Sequence, residues 1–266
     1  MSTDRRTIKA YNVSAQEYHK HVNDPDASPL HEYYEKPAIR AALPPLDGLR
    51  VLSLGCGSGE DAAWIKQQGA TAVLGIDISS ELIKIAQATY PGVGFAVADL
   101  ETYDYAVSSW DLVYSSLALH YVQDWTSLLK RIATSLKPGG RLVFSANHPL
   151  ETALESFTAQ GSRGMRLGRS IDNATAKREI WGDYLALASG GIRKRQSTVA
   201  NDQVVYSYHR TISSLLHSVR ESGLAMIDFI EPIPQAQMQT ANAEHYRQVR
   251  ALPKFFVCVL EKPISQ

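Results

Sequence analysis

The sequence contains little cysteine and no motif typical of a zinc site. Of its 266 residues two are cysteines, Cys56 and Cys258, which lie far apart in dissimilar surroundings. A disulfide framework is therefore not expected, and a reducing compartment is favoured. No C-x-x-C or H-E-x-x-H motif occurs, so we expect no metal in this protein.

An excess of charge of either sign is also lacking. Lys plus Arg and Asp plus Glu each number 27, so the formal net charge is zero. Proteins that coat nucleic acid or anionic membranes need a basic excess, and we expect neither partner here. The arginines of residues 163–169 and 193–195 are the places where a local basic patch could form.

Long hydrophobic runs are absent as well. No apolar run approaches the ~20 residues that a membrane span needs, and Met1–Tyr11 lacks the apolar segment of a secretory signal. The sequence therefore predicts a cytoplasmic protein that does not enter a membrane.

Short apolar runs do alternate with amphipathic segments from about residue 47, which is the pattern of βαβ units around a parallel sheet. The predicted strands are Arg50–Leu54, Ala72–Ile76, Val93–Val97, Trp110–Tyr114 and Arg141–Ser145. The predicted helices between them are Asp61–Gln68, Ser80–Tyr90 and Trp125–Leu136. This alternation predicts an α/β fold with an open, doubly wound, Rossmann-like sheet.

The flanking segments differ from this core. Residues 1–45 have no strand signal and many Tyr and His, and we interpret them as a helical N-terminal lid over the core of residues 46–148. Residues 149–210 contain β-like stretches and are interpreted as an insertion that caps the substrate. Residues 211–266 are expected to complete the core with the helix Ser213–Ser222 and the strands Ala225–Ile230 and Lys254–Leu260.

A glycine loop follows the first predicted strand in "RVLSLGCGSGED". Gly55, Gly57 and Gly59 allow a tight turn and a close approach of backbone to ligand. The spacing is G-x-G-x-G, and Glu60 stands where a dinucleotide fingerprint has its last glycine. An anion there would repel a pyrophosphate, so a nicotinamide dehydrogenase is disfavoured. A nucleoside ligand with a cationic ammonium or sulfonium fits better.

Two acidic positions follow the next predicted strands. Asp77 ends the second strand, where an acidic side chain can bind both hydroxyls of a ribose. Asp99 and Leu100 follow the third strand, where a carboxylate can hold the exocyclic amine of adenine. The segment "WDLVYSSLALHYVQD" follows at the centre of the predicted sheet.

These motifs, taken in order, resemble those of the class I S-adenosylmethionine-dependent methyltransferases, particularly the small-molecule group. The resemblance implies S-adenosyl-L-methionine as cofactor and a seven-stranded sheet with a reversed last strand. Gly55, Cys56 and Gly57 would wrap the methionine part, Asp77 would bind the ribose, and Ser115 would lie beside the sulfonium. The remaining residues implied on the cofactor side are Tyr11 and Tyr18 of the lid, Gly59, Ile78, Asp99, Leu100 and His120.

One position departs from the family pattern. The family usually has an acidic residue where this sequence has Ser53, near the amino acid end of the cofactor. We expect weakened or water-mediated binding at that end.

A general base is needed when the methyl acceptor must lose a proton. Histidine suits this role, and His120, His148 and His209 follow predicted strands or the insertion. Arg210 is predicted to bind either a substrate carboxylate or a backbone carbonyl, and Trp181 and Tyr184 either form an aromatic wall or pack within a hairpin.

The predicted acceptor is a small, partly aromatic or heterocyclic metabolite methylated on oxygen or nitrogen. Two alternatives stay open: a methyltransferase that modifies tRNA through the arginines of the insertion, and a non-catalytic protein that binds the cofactor. The sequence is compatible with a monomer or a homodimer.

Overall fold

The computed structural model describes residues 3–159, 162–171, 175, 178–189, 191–199 and 202–264. The described chain begins with helices, and Asp4 caps the first of them by accepting the backbone N–H of Arg6. The helical segments before the sheet are α1 (Arg5–Val13), α2 (Ala15–Val22), a π-helical turn (His31–Glu35) and α3 (Lys36–Ala41).

The central region alternates strands and helices as the sequence predicts. Its elements are β1 (Arg50–Leu54), α4 (Glu60–Gln67), β2 (Ala72–Asp77), α5 (Ser80–Thr89), β3 (Gly94–Val97), β4 (Trp110–Ser115), a 3-10 turn (Leu119–Tyr121), α6 (Trp125–Ser135) and β5 (Leu136–Asn147). Side-chain oxygens cap two of these helices, with Ser79 starting α5 and Asp124 starting α6.

The following region is built mainly of two-stranded antiparallel ribbons. Its elements are α7 (Pro149–Ala153), β6 (Glu155–Ala159), β7 (Ser162–Arg166), β8 (Gly168–Ile171), β9 (Arg178–Trp181), a 3-10 turn (Leu187–Ser189), β10 (Ile192–Val199) and β11 (Gln203–Arg210). The ribbons pair β6 with β7, β8 with β9 and β10 with β11. The strand predicted over Glu179–Leu187 stops at Trp181, because Gly182 adopts φ +75° and the chain turns.

The last elements are α8 (Ile212–Ser222), β12 (Ala225–Ile230), α9 (Gln237–Ala241), α10 (Ala243–Ala251) and β13 (Phe255–Glu261). The sequence does not predict α9 and α10. The central sheet has seven strands in the order β12-β13-β5-β4-β1-β2-β3. β13 is antiparallel to both of its neighbours, which confirms the predicted Rossmann-like sheet with a reversed last strand.

Apolar side chains cover both faces of the sheet. Adjacent strand residues point to opposite faces, so Val51 and Leu52 of β1 belong to different core clusters. Helices α6 and α8 pack on the face of Leu52, while α3, α4 and α5 pack on the face of Val51. Within the described ranges, none of the helices has the length and apolarity that a membrane crossing requires.

Candidate functional site

Three cavities adjoin the carboxyl ends of the central strands. The first is lined by Thr3, Thr7, Tyr11, Tyr18, Gly55, Gly57, Asp77, Ile78, Leu82, Leu100, Ser116, Leu117, Ala118, Tyr121 and Val122. The second is lined by Tyr18, Val22, His31, Lys36, Ser53, Gly55, Cys56, Gly57, Ser58, Glu60, Asp61, Tyr114, Ser116 and Leu117. The third, of about 740 Å³, is lined by Tyr11, Glu17, Tyr18, His21, His31, Leu117, His120, Tyr121, Asn147, Glu151, Arg195, Ser197, Val199, Ser207, Lys254 and Phe255.

Tyr18 and Leu117 line all three cavities, so these two side chains mark the place where the cavities meet. Tyr18 comes from α2, and Leu117 lies in the turn after β4. The arrangement joins two compartments along the glycine loop to one larger compartment beside them.

The glycine loop has backbone angles that side chains disfavour. Gly55, Gly57 and Gly59 have φ of +63°, +54° and +89°, in the left-handed region that glycine adopts freely. A Cβ on Gly55 would lie 2.2 Å from the Cβ of Ala118. The loop therefore packs directly against the turn that follows β4.

Asp77 connects the end of β2 to the glycine loop. Its Oδ2 accepts the N–H of Gly57 at 2.9 Å, and its Oδ1 accepts the N–H of Ser79 at 2.8 Å. The carboxylate also lines the first cavity, with Ile78 and Leu100 beside it. Burial raises the pKa of Asp77. The side chain has lone pairs left for a ligand, because each oxygen accepts only one of these backbone bonds.

Two tyrosines of the N-terminal helices cover the cavities. The hydroxyl of Tyr11 lies 2.6 Å from that of Tyr121, and the rings of Tyr11 and Tyr18 meet edge to face with centroids 5.6 Å apart. A Cβ on Gly57 would lie 3.4 Å from the ring of Tyr18. The Tyr18 ring therefore lies close to the glycine loop, at about the distance of one van der Waals contact from such a Cβ.

The second cavity contains charges of both signs. Lys36 Nζ lies 2.6 Å from Glu60 Oε1, and Asp61 accepts from Arg40 at 3.1 Å and from the Tyr114 hydroxyl at 2.9 Å. Ser53 also lines this cavity. Asp61 therefore places a carboxylate in the same cavity as Ser53, where the sequence lacks the usual acid.

Three residues predicted on the cofactor side, Gly59, Asp99 and Ser115, do not line these cavities. Gly59 begins α4, and a Cβ there would lie 2.7 Å from Phe95. Asp99 accepts the N–H groups of Thr3 and Glu101. Ser115 is buried and its hydroxyl donates to the Leu54 carbonyl at 2.9 Å. Ser116 and Leu117, the next two residues, line the cavities instead.

His148 lies outside the third cavity. Its side chain is 0% exposed, its Nδ1 accepts the N–H of Leu150 at 3.1 Å, and its Nε2 lies 3.1 Å from Glu231 Oε1. These contacts cap α7 and tie it to the segment after β12, and burial lowers the pKa of His148. The structure gives this side chain a role in holding the chain together.

His209 has both ring nitrogens engaged. Nε2 donates to the Tyr184 carbonyl at 2.8 Å, which leaves Nδ1 to accept the hydroxyl of Thr152 at 2.6 Å. The residue is buried, and burial lowers its pKa. His209 therefore has no free lone pair with which to accept a proton from a substrate.

His120 is the one of the three predicted bases that lines the third cavity. Its Nδ1 is buried and finds no hydrogen-bond partner in the part of the chain that the structure describes. Burial, helped by the nearby Arg210, lowers the pKa of His120 to about 3. The ring is therefore neutral near pH 7, and so weakly basic that it is a poor proton acceptor.

The structure decides between the alternatives for three other residues. Arg210 is buried, donates to the Val122 and Gln123 carbonyls and stacks over Trp125 at 4.4 Å. It thus binds backbone carbonyls.

Tyr184 accepts the N–H of Ile212, and Trp181 stacks with Arg166. These aromatic residues pack within the insertion and lie outside the third cavity.

The third cavity has a basic wall formed by two different parts of the chain. Arg195 comes from β10, and Lys254 immediately precedes β13. Lys254 Nζ lies 3.9 Å from Glu151 Oε1, whereas the side chain of Arg195 makes no hydrogen bond or ion pair with any residue that the structure describes. Burial lowers the pKa of Arg195. Among the described residues, the nearest opposite charge that acts on this guanidinium is that of Glu151, and the guanidinium keeps its hydrogen-bond donors for a ligand.

Several of these lining residues are not singled out by sequence reasoning. They are Lys36, Asp61, Ser116, Leu117, Tyr121 and Lys254, and Arg195 is noted only as part of a basic run. The sequence signal for Ser116, Leu117 and Tyr121 is their place directly after β4, at the carboxyl edge of the sheet. The others reach the site from distant parts of the chain, and no local pattern marks them.

The residues of the first two cavities suit S-adenosylmethionine. An acidic side chain at the end of β2 matches a ribose diol, and the charges of Lys36 and Asp61 match a zwitterionic amino acid. Gly57 lines both cavities, and a Cβ there would occupy space beside the Tyr18 ring. The Ser58 hydroxyl lines the second cavity, is buried and has no partner within the described ranges, as expected of a group that serves a ligand.

Comparison with known proteins agrees with this chemistry. A family described as a methyltransferase domain matches residues 52–144. An S-adenosylmethionine-dependent methyltransferase of known structure from Mesorhizobium loti is 34% identical, with a TM-score of 0.66, over 85% of this chain and 97% of that one.

Two curated relatives share one name. The trans-aconitate 2-methyltransferases of Variovorax paradoxus and Paracidovorax citrulli are each 26% identical to this chain. The matches cover 79% and 88% of this chain and 81% and 87% of the relatives. Together with the solved structure, these matches show that the chain is an enzyme of the S-adenosylmethionine-dependent methyltransferase family and that S-adenosylmethionine is its cofactor.

Proposed function

We propose that this methyltransferase transfers a methyl group to a carboxylate oxygen of a small organic acid. The observation that carries the proposal is the basic wall of the third cavity, where the Arg195 side chain makes no hydrogen bond or ion pair with a described residue and Lys254 Nζ lies 3.9 Å from Glu151. A guanidinium binds a carboxylate through two parallel hydrogen bonds. The name of the trans-aconitate 2-methyltransferase relatives supports an acid as acceptor.

The histidines support the same acceptor. A carboxylate is already ionised at neutral pH, so its methylation requires no base. His148 and His209 are held by partners outside the cavity, and His120 is a poor proton acceptor. An alcohol or an ammonium group would need a base that this site supplies poorly.

The cofactor supplies an electrophilic methyl group on a sulfonium. We place the ribose at Asp77 and the amino acid end in the second cavity, where Lys36 faces the carboxylate and Asp61 the ammonium. The sulfonium, which joins these two parts, then lies beside Tyr18 and Leu117, where the third cavity begins. The protein positions the acceptor in line with the methyl group and keeps water out.

Residues 1–45 and 149–210 act in this proposal as lid and cap around the core of residues 46–148, which residues 211–266 complete. Two contacts between lid and cap support their acting together. The Thr7 hydroxyl accepts the N–H of Tyr206 at 2.9 Å, and Lys194 Nζ lies 2.6 Å from Asp4. The lid and the insertion can therefore close over the third cavity as one cover.

The test is a methylation assay with S-adenosylmethionine and separate panels of small carboxylic acids, phenols, amines and RNA, read by mass spectrometry. We expect a base-labile methyl ester from the acid panel. Methylation confined to phenols, amines or RNA would contradict the proposal, and methylation of RNA would support the tRNA alternative.

Arg195→Gln tests the acceptor contact directly. Removing a charge-assisted hydrogen bond of ~1.5–3 kcal/mol should raise KM for the acid roughly 10- to 100-fold while Kd for S-adenosylhomocysteine stays unchanged. Arg220→Gln is the matched control, because this arginine side chain is 75% exposed on α8. Equal KM values for the two variants would exclude Arg195 from acceptor binding.

A further inference from the structure

A buried carboxyl group lies directly behind the place where the three cavities meet. Glu35 ends the π-helical turn and is 0% exposed. Its Oε1 accepts the Ser116 hydroxyl at 3.0 Å and also the hydroxyl of Ser145. Its Oε2 is buried and has no hydrogen-bond partner among the described residues. A buried carboxyl without a cationic hydrogen-bond partner is costly to ionise.

The same carboxyl supports the turn that lines the site. Ser145 Oγ, which donates to Glu35, accepts the N–H of Leu117 at 3.0 Å. Glu35 is thus linked to two consecutive residues, directly to Ser116 and through one hydroxyl to Leu117. Leu117 has φ +47°, a conformation that a leucine keeps only when its surroundings hold it there.

The charged groups around Glu35 come from three elements. Burial raises its pKa to about 7, and Asp61 of α4 acts in the same direction. The hydrogen bonds from the two serines and the charge of Lys36 in α3 act in the opposite direction. Tyr114 of β4 also faces this group. These opposing effects leave Glu35 divided between protonated and ionised forms near neutral pH. A small change in local charge therefore shifts the equilibrium between the two forms.

We propose that Glu35 is a positioning residue of the cofactor site, which holds the Ser116–Leu117 turn and releases its proton when a sulfonium ligand binds. The inference rests on the placement of the sulfonium beside Leu117 in the proposed function. A positive charge beside the turn that Glu35 holds favours the ionised form of this carboxyl. Ionised Glu35 in turn accepts both serine hydroxyls more strongly and holds the turn more firmly.

S-adenosylmethionine and S-adenosylhomocysteine are matched probes, because they differ in the methyl group and in the sulfonium charge. Calorimetric titration at pH 7 in buffers of different ionisation enthalpy measures the protons released on binding. We expect S-adenosylmethionine to release a larger fraction of a proton than S-adenosylhomocysteine. Its Kd should also fall several-fold more than that of S-adenosylhomocysteine between pH 6 and pH 8.

Glu35→Gln should remove this difference between the two ligands. Glu81→Gln, which deletes an exposed carboxyl on α5, should retain it. A purely structural role for Glu35 predicts a different result. The variant would then bind both ligands more weakly, by the same factor at every pH. That result, or equal proton release by the two ligands in the unmodified protein, would overturn the proposal.

Ser145→Ala provides a second test if Glu35→Gln does not fold. Loss of a donor to Glu35 should raise the pH at which proton release is greatest, and an unchanged pH would count against the proposal. Binding of S-adenosylhomocysteine by each variant reports separately on the cofactor site. A failure of the proton measurement with intact binding would therefore affect only the role of Glu35.

Discussion

Asp77 shows how one side chain serves both the fold and the site. It accepts backbone N–H groups from Gly57 and Ser79, and it also lines the first cavity. The backbone bonds hold the glycine loop against the end of β2. The same bonds orient the carboxylate toward the cavity before any ligand arrives.

Replacing Asp77 by alanine should weaken cofactor binding by roughly 1–3 kcal/mol, since buried polar groups of loop and ligand lose their partner. Calorimetric titration with S-adenosylhomocysteine measures the change. Asp104→Ala, at an exposed position, is the control. Unchanged affinity in Asp77→Ala would show that the ribose lies elsewhere.

Among the elements, the glycine loop and the turn after β4 depend on each other most closely. Gly55 has φ +63°, and a Cβ there would lie 2.2 Å from that of Ala118. Gly48 has φ +76° but nothing within 4 Å of such a Cβ. The two glycines thus separate the cost of the backbone conformation from the cost of the close contact.

Gly48→Ala should lower the free energy of unfolding by about 1–2 kcal/mol, the cost of a left-handed conformation. Gly55→Ala should lower it further and also abolish cofactor binding, because Ala118 must move. Urea unfolding and ligand titration of both variants provide the measurements. Equal stability of the two variants would mean that the turn after β4 moves away from the added methyl group at little cost in free energy.

For the whole molecule, buried histidines predict sensitivity to acid. Burial lowers the pKa of His31 to about 4 and of His120 to about 3, and it lowers those of His148 and His209 as well. The unfolded chain takes up these protons below pH 6.5, and the folded chain does not. Stability is therefore full above pH 6.5 and falls as the pH drops toward the folded pKa values.

His120→Gln should reduce this loss of stability. A histidine that stays neutral in the folded chain down to about pH 3, as His120 does, contributes a slope of about 1.4 kcal/mol per pH unit below pH 6.5, so the variant should lose about 2 kcal/mol less than the unmodified protein between pH 7.5 and pH 5. Urea unfolding at the two pH values measures this. His217→Gln, at an exposed position on α8, should match the unmodified protein.

Glu35 affects the stability in the opposite direction. Its pKa is raised to about 7 in the folded protein. Between pH 4.5 and pH 7 the folded chain therefore keeps a proton on Glu35 that the unfolded chain has lost. Stability from this group falls as the pH rises from 4.5 to 7. The histidines and Glu35 together favour a stability maximum in weakly acidic to neutral solution.

The sheet was largely predictable because its signals are local. β1 has the predicted bounds, and the other central strands overlap the predicted ones, since each apolar run is bounded by turn residues within a few positions. α10 escaped prediction because its polar sequence "AEHYRQVRA" buries one residue, Val249, and has no clear apolar face. β9 ended early at a glycine whose conformation only the folded chain shows.

The sequence by itself determined the fold and the cofactor family, because a glycine loop, an acid after β2 and their spacing all lie along one continuous stretch of chain. The tertiary structure decided which side chains face the acceptor. The sequence predicts His209 as a base, but in the structure Thr152 and the Tyr184 carbonyl engage both of its nitrogens. Arg195 and Lys254 are brought to one wall only when β10 and β13 are in place. Hydrogen-bond partners and charges that are distant in sequence set the chemistry of such groups, and only folding brings them together.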